Sequence, residues 1–154
     1  MKGVCEALIL SIAGGDLYMK EWVEKNIPTH KDREILSGKL LLRKVHNSGM
    51  MMNFADDHKK LVRIMSVIVT IFTAIVHFSL YGETGYEKEQ AGIAFILGGA
   101  ISNTIDRIRR GYVVDYLAFN TNNKKHSRIT YNIGDFAIFA GAFLILISSF
   151  IKKK

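Results

Sequence analysis

Apolar and polar positions fall in long blocks along this chain. Ile64 to Tyr81 is apolar apart from His77 and small hydroxyl residues, Ala91 to Ile105 carries no charge, and Ile133 to Ile151 carries only Asp135. The first and last of these reach the roughly 18–20 residues that a helix needs to cross about 30 Å of hydrocarbon. The middle one, ending in Asn103, Thr104 and Asp106, falls about one turn short unless its polar end is shielded. An earlier run, Val4 to Met19, is apolar from Ala7 to Ala13 and holds Glu6 and Asp16 near its ends. Two readings fit it. Lys2, the short run and Ala13-Gly14-Gly15 resemble a cleavable leader; retained, the run is a first span. The retained form gives an all-α membrane protein, one polytopic domain over residues 1–154 with four transmembrane helices near 4–19, 64–81, 91–106 and 133–151.

The blocks between the spans differ in kind. Residues 20–60 contain Pro28, the single proline, and two turn signals, Ser37-Gly38 and Asn47-Ser48-Gly49. Lys39 to Val45 between them is a strand candidate, and Met50 to Phe54 is apolar but too short to span. A small folded, β-like, membrane-facing cap is expected there. Gly82 to Gln90 is a short acidic loop. In the third loop, Arg110-Gly111-Tyr112 reads as a turn that leads into a β-branched extended run through Asp115 and Tyr116. Asn120 to Arg128 is polar and basic, and is expected to be mobile. No internal repeat is present.

Composition agrees with this segregation: 49 % of residues are hydrophobic while 23 % are charged. A net charge of +7 raises the question of nucleic-acid binding. The excess sits beside apolar runs, however, at Lys59, Lys60 and Arg63, at Arg107, Arg109 and Arg110, and at Lys152 to Lys154. Anionic headgroups and snorkelling account for bases in such places, so no nucleic-acid partner is expected. Counted by the positive-inside rule, the basic first and third loops lean towards the cytoplasm, whereas the triple-lysine tail argues the other way. The lone Cys5 excludes an intrachain disulfide. The five histidines pair at no metal-ligand spacing and form no His-Glu-x-x-His, so neither metal nor cofactor is expected.

Ionisable groups inside apolar segments are costly and point to function. Gly99, Asn103, Asp106 and Arg107 share roughly one helical face, while Ala94 and Gly98 form a small-xxx-small contact for a neighbouring helix. Asp106 and Arg107 could simply end the helix at the interface; Asn103, one turn deeper, needs partners. Asp135 opens the last span, where a helix dipole alone could stabilise it. Asp115 is different, because it lies amid Tyr112-Val113-Val114 and Tyr116-Leu117. Both acids lie near one membrane face. Two carboxyls brought together in a low dielectric cannot both ionise easily, so one keeps a proton. That pair can activate water and protonate a leaving amine, as an aspartic protease does. A small proton- or cation-coupled transporter could use the same residues, and a non-catalytic scaffold could retain them.

Gly98-Gly99-Ala100-Ile101-Ser102-Asn103-Thr104-Ile105-Asp106-Arg107, continuing through Arg110-Gly111-Tyr112-Val113-Val114-Asp115-Tyr116, resembles the signature of lipoprotein signal peptidases, the signal peptidase II family. Tyr131-Asn132-Ile133-Gly134-Asp135 resembles its Phe-Asn-x-Ala-Asp element, and Asn47-Ser48-Gly49 its Asn-x-Gly element. Asp16-Leu17-Tyr18-Met19-Lys20 partly matches a first-helix Asp-Gln-x-x-Lys element. The resemblance covers nearly the whole chain. It implies an aspartic endopeptidase of the bacterial cytoplasmic membrane that cuts prolipoproteins before a diacylglyceryl-bearing cysteine. It makes Asp115 and Asp135 catalytic, Asn103, Arg107 and Asn132 lining residues, and Asn47 and Asp16 supporting ones. It also puts the cap and basic loops outside the cell, against the charge rule, with membrane lipid and substrate as partners of a monomer. Leu17, Gly134 and the cluster Met50-Met51-Met52 depart from the family pattern without removing a catalytic group.

Overall fold

A computed structural model describes residues 2–29, 31–49, 59–121 and 129–151. The Met50–Met52 cluster, most of the Asn120–Arg128 loop and the Lys152–Lys154 tail lie outside them. The elements run α1 (Lys2–Asn26), β1 (Arg33–Ile35), β2 (Leu40–Asn47), α2 (Lys59–Ser79), α3 (Glu87–Arg109), β3 (Val113–Phe119), β4 (Thr130–Tyr131) and α4 (Ile133–Ile151).

α3 is the hub, with α1, α2 and α4 each packed against it. Glycine sets how closely. Gly92 lies against the carbonyl of Gly141 and Gly99 against the carbonyl of Gly134, seven residues apart on each antiparallel helix. A side chain at any of the four would drive the backbones apart, so α3 and α4 touch main chain to main chain. Gly98 meets Ile9 and Ile12 of α1, the contact expected from the Ala94/Gly98 spacing.

α1 runs unbroken through Gly14-Gly15 and stops at Asn26, two residues before Pro28, which cannot continue a helix. It extends a full turn and more beyond the expected end at Met19. Its C-terminal half carries the sheet: Val23 and Ile27 pack on Leu42, Val114 and Tyr116.

The molecule is mostly helical as expected, and the expected first-loop β-like cap is part of a larger sheet. It is four-stranded and antiparallel in the order β1-β2-β3-β4, so half its strands come from the third loop. The β1–β2 turn falls at Ser37-Gly38 as expected, where Leu36, Ser37 and Gly38 all have positive φ. Between Leu42 and Val45 the register with β3 slips, because Arg43 and Lys44 together oppose Tyr116. This bulge decides which side of the sheet Asn47 occupies. Without it, Lys44 would oppose Asp115 and Asn47 would point to the other face; with it, Val45 opposes Asp115 and Asn47 lies on the Asp115 side.

The membrane assignment is also narrower than the expected four spans. Two helices, Lys59–Ser79 and Ile133–Phe150, are long and apolar enough to cross a bilayer. α2 is mostly uncovered, with Ile68, Val69, Ile71, Phe72, Ile75 and Phe78 exposed, which is the surface of a helix solvated by lipid. α1 and α3 have the length but carry polar groups, and several of those between their ends are turned inward. Asp16, Lys20, Ser102 and Asp106 are fully buried.

Candidate active site

Asp115 lies in mid-strand on β3 and Asp135 in the first turn of α4, and both line one cavity of ≈ 150 Å³ with Asn47, Asn103, Arg107 and Thr130. Asn132 joins them. It precedes α4, and its Oδ1 accepts from the Asp135 backbone N–H at 2.8 Å while Asp135 Oδ2 accepts from the Asn132 N–H at 3.1 Å. This is a reciprocal capping box, which fixes the Asp135 rotamer against the helix start. The remaining Asn132 donor, Nδ2, goes to Asp115 Oδ1 at 2.7 Å. One asparagine therefore ties the two carboxyls to each other.

Each carboxyl has a second amide. Asn47 Nδ2 donates to Asp115 Oδ2 at 2.9 Å, across the face that the bulge selects, and Asn103 Nδ2 donates to Asp135 Oδ1 at 2.9 Å. Asp115 is only 3 % exposed. Burial, and then the nearby Asp135 charge, push its carboxyl from the ordinary 3.8 up to about 7, against the pull of the two asparagine amides. Near neutrality such a group can give or take a proton.

Behind this layer lies a buried ionic one. Lys20 Nζ pairs with Asp16 at 2.8 Å and donates to Ser102 Oγ at 2.9 Å and to Asn103 Oδ1 at 2.7 Å. Lysine offers donors only, so the Asn103 carbonyl must face it and the Asn103 NH₂ must face Asp135. Asp16 also accepts from Ser102 Oγ at 2.6 Å and from the Tyr116 hydroxyl at 2.8 Å. That hydroxyl accepts in turn from the N–H of Ile133 at 3.2 Å, which anchors the start of α4 to β3.

Asp106 and Arg107, neighbours at the end of α3, reach different partners. Asp106 turns away from the cavity, accepting from the Val114 N–H at 3.0 Å and pairing with Arg110 Nε at 3.0 Å, so it ties the end of α3 to β3. Neither it nor Arg107 merely meets headgroups. Arg107 lines the cavity, and its Nη2 donates to the Gly49 carbonyl at 3.1 Å. Of the residues that the family resemblance marks, Asp115, Asp135, Asn103, Arg107 and Asn47 line the cavity, Asn132 bonds both aspartates from behind it, and Asp16 lies a step deeper, joined to Asn103 through Lys20. Lys20, Ser102 and Tyr116 were not singled out. The i, i+4 spacing of Asp16 and Lys20 was the available signal for the first; Tyr116, on the opposite strand face from Asp115, gave none.

The model of the signal peptidase (SPase) II family matches residues 8–151. The chain belongs to that family. It is 36 % identical over 154 residues to the lipoprotein signal peptidase of Bartonella henselae, covering 96 % of this chain and 90 % of that one. It is 33 % identical over 134 residues to the lipoprotein signal peptidase of Buchnera aphidicola, covering 85 % and 80 %. Two solved structures described as bacterial membrane enzymes share the peptidase's fold. One has a TM-score of 0.83 at 20 % identity over 99 % of this chain and 90 % of its own; the other has 0.76 at 21 % identity over 95 % and 92 %.

Proposed function

We propose that residues 1–154 form one membrane peptidase domain in which Asp115 and Asp135 are the catalytic pair. As a signal peptidase II the protein is an aspartic endopeptidase of lipoprotein signal peptides. The transporter reading has no support. The observation that carries the catalytic assignment is the Asn132 bridge, which holds both carboxyls at one cavity. On this reading a water between them loses a proton to one carboxyl and attacks the peptide carbonyl. The other, protonated carboxyl gives its proton to the developing oxyanion; as the resulting diol collapses it takes a proton back, while the first carboxyl passes the proton it took from water to the leaving nitrogen.

Three buried polar atoms at the cavity, Asn47 Oδ1, Arg107 Nε and Thr130 Oγ1, have no partner among the described residues. They suit an extended substrate backbone, which needs both donors and acceptors. The cut would fall before the lipidated cysteine, with the diacylglyceryl chains lying in bilayer beside Ile138 and Phe139 at the cavity wall.

The same reading makes all four helices spans of a monomer, with both ends in the cytoplasm and the sheet outside. α1 and α3, of 25 and 23 residues, are long enough, and their buried polar groups face one another instead of lipid. An impermeant thiol reagent should label Ser37→Cys in intact cells; labelling only after lysis would invert this topology. The activity itself is tested by incubating purified protein with a lipid-modified prolipoprotein and following the size shift. Asp135→Asn should abolish the shift without preventing insertion. Near-native turnover in that variant would remove Asp135 from the catalytic pair.

A further inference from the structure

At the end of the molecule away from the aspartates, α1 and α2 each lean on α3 and leave a cavity of ≈ 370 Å³ between them. Its walls are apolar, formed by Ile9 and Leu10 of α1, Ile71 and Ala74 of α2, and Leu97 and Ile101 of α3. Three polar side chains interrupt them, and one of these, Thr70, is already bonded to the Ser66 carbonyl and the Thr104 hydroxyl. His77 is 3 % exposed, and its Nδ1 has no partner among the described residues. Glu6 bonds the Tyr81 hydroxyl, yet its buried Oε2 also lacks a partner. Rings of Phe78 and Tyr81 hold the His77 ring edge-on, at 5.5 and 6.2 Å between centroids, so it cannot turn away freely.

A buried acceptor without a donor costs about 1–3 kcal/mol, and more for a carboxylate. Here a carboxylate oxygen of Glu6 and the His77 Nδ1, an acceptor in the Nε2–H tautomer, converge on one apolar cavity, against helices solvated by lipid. The missing group must carry more than one N–H donor, should be cationic to suit Glu6, and must be attached to a hydrocarbon chain that fills the rest. Water would satisfy the polar atoms but not the walls. A quaternary ammonium would satisfy the charge but brings no N–H donor.

We infer that this cavity is a binding site for one phospholipid with a primary ammonium headgroup, its ammonium on Glu6 and His77 and an acyl chain running between α1 and α2 towards Leu97 and Ile101. The site lies outside the catalytic cavity and goes beyond the proposed proteolysis. It rests on that reading only in taking α1–α3 to be lipid-solvated.

The test uses the full chain in mixed micelles with equal phosphatidylethanolamine and phosphatidylcholine of identical acyl chains. Retained lipid is read by native mass spectrometry, and prolipoprotein cleavage is measured in the same samples. One ethanolamine lipid should be retained at least threefold over the choline lipid. Glu6→Gln should lose the preference, and Ala74→Phe, which fills the cavity without touching the acid, should lose the lipid; cleavage should persist in both. Should Glu6→Gln fail to fold, Ala74→Phe decides the matter. Equal retention of the two lipids, or a preference that survives Ala74→Phe, overturns the site. So does a cavity occupied instead by the substrate's apolar signal helix, which would leave no lipid adduct of either kind. Active protein with no lipid preference would overturn this inference alone.

Discussion

Replacing Asp115 by Asn should end cleavage and at the same time relieve the fold of a pH-dependent burden. The native carboxyl is pushed from 3.8 to about 7, first by burial and then by Asp135. A folded pKa above the unfolded one means that the folded state binds the proton more tightly. The resulting stability is present in full below about pH 4 and is lost as pH rises through about 7. At about 1.4 kcal/mol per pH unit the loss amounts to about 4 kcal/mol. Asn has no proton to lose, so its stability lacks this decline, and the titrations of groups other than the coupled Asp135 cancel in the comparison. The substitution also fits the site: Asn47 Oδ1 has no partner among the described residues, so that amide can turn over and accept from the new NH₂. Thermal unfolding in detergent can be followed from Trp22, the chain's one tryptophan, which packs on the core beneath the sheet. Between pH 4 and pH 8 the native melting temperature should fall relative to the variant by roughly 8–16 °C, at the usual few degrees per kcal/mol for a chain of this size. Parallel curves for the two proteins would refute the argument, because they would mean that Asp115 holds no proton at neutral pH.

Other substitutions probe the support around the pair. Gly99→Ala should separate α3 from α4 at the Gly134 carbonyl, costing about 1–3 kcal/mol and most of the turnover, since backbone cannot step aside; Gly14→Ala, with open space around it, is the matched control for melting temperature and rate. Tyr116→Phe removes a buried hydroxyl shared by Asp16 and Ile133 N–H and should cost about 1–3 kcal/mol in denaturation. Arg107→Lys keeps the charge but loses the planar fork that reaches Gly49; turnover should fall at least tenfold with little change in melting temperature, and full activity would make Arg107 an anchor. The charge-free pair Asp16→Asn with Lys20→Met should fold to within about 2 kcal/mol of native, where Lys20→Met alone loses about 3–5 kcal/mol. Cleavage should be lost in both, as the prolipoprotein assay would report.

The acids of the site were legible because charge in an apolar context has few explanations. Asp115 stands between valines and a tyrosine, and Asp135 is alone in its span. The helix–helix contacts were legible in part, since Gly98 and Gly99 announce close approach without saying to which neighbour. The sheet was half hidden. Lys39 to Val45 and Val113 to Tyr116 each read as extended, but nothing local says that they pair across some seventy residues. The bulge was invisible, since it is a property of the pairing and not of either strand. Apolar length recognises α2 and α4, yet α1 and α3 conceal their charges inside the bundle, where composition cannot see that they are paired.

The Asp16–Lys20 pair also raises the question of why a membrane protein would carry such a burden. Buried ion pairs are weak contributors to stability, because desolvation offsets the attraction; an apolar replacement is often neutral or better. Stability alone therefore gives no reason to bury a lysine at 0 % exposure. Orientation does. An asparagine amide is nearly symmetric in shape, so packing cannot decide which end of Asn103 faces Asp135. A neighbour that can only donate does decide it, and Lys20 at 2.7 Å from Asn103 Oδ1 is such a neighbour. Asp16 is the near counter-ion of that lysine at 2.8 Å, with Asp106 further off at 3.8 Å, and Ser102 and Tyr116 in turn satisfy Asp16. Asn132 needs no such guard, because the backbone N–H of Asp135 already claims its carbonyl and leaves its NH₂ for Asp115. The two asparagines that touch Asp135 are thus set by different means, one by a helix start and one by a buried cation. Only the first of these is written locally in the sequence.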